Sequence, residues 1–174
     1  MRLRRLTFNP TVMQKFILVV ALLAALVPLS AARAESALDH PLEFKFNAVD
    51  GRKVDLAQLR GKVVLIDFWA TWCPGCREEM PGVLALYKKY HAQGFEVVGI
   101  SLDQDKDSLV EYTKTNGMQW PQFFDGQGWD NEISSHFGIS EIPAMVLLGK
   151  DGKVVRSDGN ADLAEEVGKL LKTP

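Results

Sequence analysis

One stretch limits what this chain can become: Val63-Val64-Leu65-Ile66-Asp67-Phe68-Trp69-Ala70-Thr71-Trp72-Cys73-Pro74-Gly75-Cys76. Residues 63–66 are apolar without interruption and mostly β-branched, the pattern of a strand covered on both faces. Past Trp72 the pattern breaks. Pro74 suits the first turn of a helix, where its missing N–H costs nothing. Arg77, Glu78, Glu79 and Met80 continue as helix formers. Cys73 therefore falls at a helix N-terminus, where the macrodipole and the free N–H groups favour a thiolate. Cys76 follows three residues later, within disulfide reach, and the chain has 2 cysteines in all.

Such a pair has a bland reading and a chemical one. A structural disulfide is common in exported proteins. A CxxC bridge, however, closes so short a loop that it restrains the unfolded chain very little. A junction that also lowers a thiol pKa suits exchange chemistry better. CxxC alone is a weak signal, because zinc sites use it too; at a strand-to-helix junction in this aromatic setting it is a strong one.

Phe68-Trp69-Ala70-Thr71-Trp72-Cys73-Pro74-Gly75-Cys76 resembles the active site of the thioredoxin superfamily. The Trp-Cys-Pro-Gly-Cys core followed by Arg77-Glu78-Glu79-Met80-Pro81 is similar to its TlpA/ResA-like extracytoplasmic branch. The resemblance extends from about residue 42 to the C-terminus. It implies a thioredoxin fold and a thiol–disulfide oxidoreductase that needs no cofactor.

The N-terminal residues 1–34 read as a targeting segment. Arg2, Arg4, Arg5 and Lys15 make a basic start, residues 16–29 are apolar, and Ala32-Arg33-Ala34 fits a cleavage site. The apolar run is shorter than the roughly 20 residues of a spanning helix. A cleaved signal and an uncleaved anchor tethering the domain through residues 16–29 both place the domain outside the cytoplasm, in a periplasmic or other extracytoplasmic space. Residues 35–41 are a linker and 42–174 the domain. Five of the 20 Lys+Arg lie in residues 1–34 and none of the 22 Asp+Glu, so the remainder carries 15 against 22, a formal −7. That balance argues against a nucleic-acid partner and an anionic membrane surface.

The rest alternates between strand and helix. Phe44-Lys45-Phe46 and Lys53-Val54-Asp55 flank the Asp50-Gly51 turn as a hairpin. A helix over residues 74–91 carries Met80, Val83, Leu84, Leu86 and Tyr87 on its apolar face, with Pro81 expected to kink it. Residues 95–101 are a second core strand and 103–116 a helix ended by Gly117. A short strand over 120–124, a short helix over 132–137, strands over 144–148 and 154–157, and a last helix over 161–172 complete the chain. The fold class is α/β, a mixed central sheet flanked by helices on both faces, with an N-terminal β-hairpin extension.

In this reading Cys73 is the nucleophile and Cys76 the resolving thiol. Asp67 is an ionisable group within a hydrophobic run. It is either an inert strand-edge residue or a buried acid with a raised pKa that takes the Cys76 proton. The resemblance favours the second. Glu79 lies one turn after Cys76 on the same face; the family implies that it tunes the cysteines, while a solvated helix Glu explains it equally well. Glu78 points elsewhere. Pro74 and Gly75 influence redox poise, and Trp72 belongs to an apolar contact surface around Cys73. The resemblance makes Ile142-Pro143 a cis bond facing the CxxC, with the Ile142 backbone able to pair with an extended partner segment. Trp69, Trp120 and Trp129 read as packing residues, and His40, His91 and His136 as bystanders.

Rival chemistries leave their own marks. A peroxiredoxin carries Pro-x-x-x-Thr/Ser-x-x-Cys, absent here. A c-type haem site needs His after the second cysteine, where Arg77 stands. A Sco-type copper protein uses CxxxC with a distant His. A Cu(I) module built on two thiolates stays open as an alternative, as does a disulfide oxidant. The family implies disulfide-containing protein substrates, apocytochrome c or copper-site cysteines among them, and a membrane thiol–disulfide electron donor.

Overall fold

The computed structural model describes residues 40–156 and 163–173, so the targeting segment and linker fall outside it except for His40 and Pro41. The alternating segments around Asp50-Gly51 form strands β1 (Lys45–Asn47) and β2 (Lys53–Asp55), paired antiparallel with Phe46 opposite Val54. Those two side chains are buried while Lys45, Asn47 and Lys53 face solvent, the pattern of a one-sided hairpin. Gly51 turns the chain with φ +87.

The apolar run becomes β3 (Val63–Trp69), buried at every residue. Helix α1 (Pro74–Tyr90) follows, then β4 (Phe95–Ser101), again buried throughout. Helix α2 (Lys106–Thr115) leads to β5 (Gln122–Phe123), α3 (Glu132–His136), β6 (Ala144–Leu148), β7 (Val154–Arg156) and α4 (Leu163–Lys172). The five-stranded sheet has the order β5-β4-β3-β6-β7. β3, β4 and β5 are parallel neighbours, while β6 and β7 run antiparallel. The mixed sheet and its N-terminal hairpin are as expected.

From β3 to β4 to β5 the chain steps one way across the sheet, so right-handed crossovers set α1 and α2 on the same face. Trp69 meets Tyr112 of α2 there, ring centroids 5.3 Å apart. Phe68 points to the other face, where Phe137 lies 5.4 Å away and Phe44 packs edge-on against Phe137. The hairpin covers the β5 edge: Val49 N–H donates to the Gln122 carbonyl at 3.0 Å, and Phe46 meets Phe123 at 5.2 Å. An edge closed in this way offers no template for further pairing.

Element ends differ from the expectation for identifiable reasons. α2 begins at Lys106 rather than residue 103, because the Asp105 carboxylate caps it, accepting from Ser108 N–H at 3.1 Å. β5 is two residues long, since Pro121 has no N–H for a ladder. α1 continues through Pro81 without interruption. One glycine is required by packing: a Cβ on Gly99 would lie 1.9 Å from Gln122 Oε1. The space it leaves lets Gln122 accept from the Trp69 indole at 3.0 Å across β4.

Candidate active site

Cys73 is the N-cap of α1, in extended conformation, with Pro74 in the first turn. Its Sγ accepts from Cys76 N–H at 3.1 Å, so the helix terminus already supplies a donor to that sulfur. The two cysteines are joined as a disulfide. Cys73 is 4% exposed and Cys76 2%, so both sulfurs are nearly buried in the oxidised form. What solvent meets instead is Trp72, 52% exposed.

The Pro-Gly between the cysteines lies against the start of β6. A Cβ on Gly75 would stand 3.2 Å from Pro143 Cδ, and the Ile142–Pro143 bond is cis, as expected. Residues separated by about half of the domain thus meet between the two cysteines.

Asp67 is buried at the centre of β3, opposite Gly99 on β4 and Met145 on β6. Its Oδ2 has no hydrogen-bond partner. Burial, helped by the negative charge of Glu79, pushes this carboxyl up to about 7. Asp67 thus lies within the sheet, between two neighbouring strands, and not at an edge. Glu79 is half-buried and its own pKa is raised by burial, whereas Glu78 is exposed. Glu79 lines a groove of about 580 Å³ between α1 and α4, floored by Met145. Asp67 therefore feels the charge of Glu79, a link that the sequence spacing does not show.

Two features escaped the sequence reading. The first is a buried junction after β4. The Asp103 carboxylate accepts from Thr71 N–H at 3.1 Å, Thr71 Oγ1 at 2.7 Å and Ser101 Oγ at 2.8 Å. It pins the loop that delivers Cys73. Its position at the C-terminal end of a parallel strand, where α/β folds place their sites, is the only signal the sequence offered. The second is Trp129, read as packing but 47% exposed, its ring 6.2 Å from that of Trp72. Trp69 and Trp120 are buried as expected. His91 hydrogen-bonds the Phe95 carbonyl at the opposite end of the sheet, and His136 is exposed.

The model of the AhpC/TSA family matches residues 38–157. The chain belongs to the AhpC/TSA family. Among similar proteins, the thiol-disulfide oxidoreductase ResA of Bacillus thuringiensis subsp. konkukian is 31% identical over 129 residues, covering 74% of this chain and 73% of that protein. ResA of Bacillus subtilis strain 168 is 30% identical, covering 65% and 62%. The thioredoxin domain of a thiol-disulfide oxidoreductase from Bacteroides vulgatus superposes with a TM-score of 0.67 at 25% identity, over 76% of this chain and 96% of that one. A thioredoxin family thiol:disulfide interchange protein from Chlorobium tepidum gives 0.67 at 28%, over 76% and 95%. Within the AhpC/TSA family this chain has the thioredoxin-like fold and is a thiol–disulfide oxidoreductase acting on protein disulfides.

Proposed function

We propose that the chain works outside the cytoplasm as a reductant of partner-protein disulfides. The observation that carries this reading is the pair of acids, Glu79 on the CxxC helix and Asp67 on the strand beneath it, near enough for the charge of Glu79 to act on Asp67. Negative charge near a thiol opposes its ionisation, and a dithiol whose thiolate is not strongly stabilised is the better electron donor.

In the reduced protein the Cys73 thiolate, held at the helix N-terminus, attacks one sulfur of the partner disulfide. That S–S bond breaks, the partner's other sulfur leaves as a thiolate, and a mixed disulfide forms. The Asp67 carboxylate takes the Cys76 proton, directly or through water. Cys76 then attacks Cys73 Sγ, releasing the partner's second thiolate and closing the Cys73–Cys76 bond. Two electrons have passed to the partner, whose thiolates are protonated from solvent. Pro74 and Gly75 set the sulfur spacing, Trp72 forms the rim, and Ile142 and Pro143 border an extended partner segment. A membrane thiol–disulfide donor restores the dithiol. Apocytochrome c and copper-site cysteines are the substrate classes that this role fits.

Residues 1–34, with their basic, apolar and small-residue regions, support an export signal or a tether through residues 16–29, with 35–41 as linker to the domain. The test of the reductant role is the Cys73–Cys76 reduction potential, set by equilibration against a dithiothreitol series. A value near that of thioredoxin, about −270 mV, is expected. A value near −120 mV, on the order of that of a strong periplasmic oxidant, reverses the direction.

A further inference from the structure

Among the described residues, four large hydrophobic side chains stand exposed, and two of them touch: Trp72 and Trp129. Each indole gives roughly half its surface to solvent. Trp72 adjoins the nucleophile. Trp129 comes from a turn 57 residues later in the chain.

The turn that presents it is firmly held. Residues Gly128–Asp130 form one 3-10 turn. Gly128 has φ +59, and a Cβ there would press on Gln104 at 3.3 Å. Asn131, fully buried, closes the turn with its N–H on the Gly128 carbonyl at 3.2 Å. Its side chain donates to the Ser101 carbonyl at 3.0 Å and caps α3 by accepting from Ile133 and Ser134. Ser101 Oγ in turn donates to the Asp103 carboxylate that holds Thr71. One strand end therefore fixes both the loop ahead of Cys73 and the turn bearing Trp129. The two indoles are placed relative to the sulfurs by a buried hydrogen-bonded network rather than by chance exposure.

We propose that Trp129 is a specificity-determining residue of the exchange reaction: with Trp72 it forms an aromatic platform for a bulky apolar side chain flanking the reacting cysteine of the substrate protein. This rests on the disulfide-exchange function above. The occupant follows from the chemistry. Both cysteines are nearly buried, so a partner's sulfur reaches Cys73 only if the partner's chain lies against the rim, and Trp72 is that rim. A side chain next to the partner's cysteine then falls on the neighbouring indole. Tryptophan brings large apolar area at little entropic cost, and it is enriched among residues that dominate binding.

The test uses two cyclic disulfide peptides that differ at one position, with Phe or Gly beside the reacting cysteine. The reduced full chain is expected to prefer the Phe peptide in kcat/KM. Trp129→Ala is expected to cut that preference about tenfold, the loss of one ordinary hot-spot contact, and Trp129→Phe to retain most of it. Because the readout is a ratio between two substrates, a general change in cysteine reactivity cancels. A preference unchanged in Trp129→Ala overturns the proposal. So does a wild-type dimer, seen by sedimentation, that buries the indole pair and that Trp129→Ala dissociates. If the wild-type chain reduces neither peptide, the exchange function itself fails; if it reduces both equally, only the platform does.

Discussion

Asp67 has an ordinary carboxyl in an extraordinary place. Unfolded, it titrates near 3.8; folded, it keeps its proton up to about 7. Between those values the folded state binds more protons than the unfolded state, so stability falls as pH rises through the window and levels off above it. Chemical denaturation should show a loss of roughly 2–3 kcal/mol between pH 5 and pH 8 from this group. Asp67→Asn should flatten that slope and be the more stable protein at the alkaline end, while slowing release of the mixed disulfide, which needs the base. Glu79→Gln removes the neighbouring negative charge and should move the window to lower pH. A slope that is identical in all three proteins would show that the acid is not buried as described. The fold tolerates this cost on the strand that carries Asp67 within reach of the charge of Glu79 on the CxxC helix, consistent with perturbed groups gathering at working sites.

At the scale of elements, the site is held by side chains that bond to another element's backbone or fill its gaps. Asp103→Ala would strip Thr71 N–H, its hydroxyl and Ser101 Oγ of their shared acceptor. The expected cost is about 1–3 kcal/mol of stability, with a broadened rate of Cys73 alkylation as the loop loosens. Gly99→Ala should cost a similar amount, about 1–3 kcal/mol, by driving Gln122 off the Trp69 indole; denaturant midpoints check both. The strands β3 and β4 and helix α1 were legible because burial on both faces and helical periodicity write themselves into consecutive residues. The pairing of Gly75 with Pro143 was legible only through family resemblance, since no local pattern joins residues so far apart. Asp103 and Trp129 were not legible for a related reason. An Asp after a strand reads as a helix start, and here the start belongs to Asp105. An isolated Trp reads as core because tryptophan is buried on average. Whether a turn aims it at solvent depends on Asn131 meeting Ser101, a contact across 30 residues.

For the molecule as a whole, the two sulfurs are a small part of a core built mainly by the sheet and its aromatics. The disulfide joins residues three apart, so opening it releases almost no chain, while the sheet and its covering aromatics persist. The protein can thus pass between its two redox states as one fold. Its four tryptophans divide accordingly: Trp69 and Trp120 are sealed inside, while Trp72, next to Cys73, and Trp129, against Trp72, stand in water. A disulfide drains light from an adjacent indole, and a dithiol does so less. Reduction should therefore brighten the red-shifted part of the emission and leave the blue part fixed, and Trp72→Phe should abolish most of the change. The indole that fronts the nucleophile is also an optical gauge, by which the chain reports, turnover by turn, whether it is holding electrons.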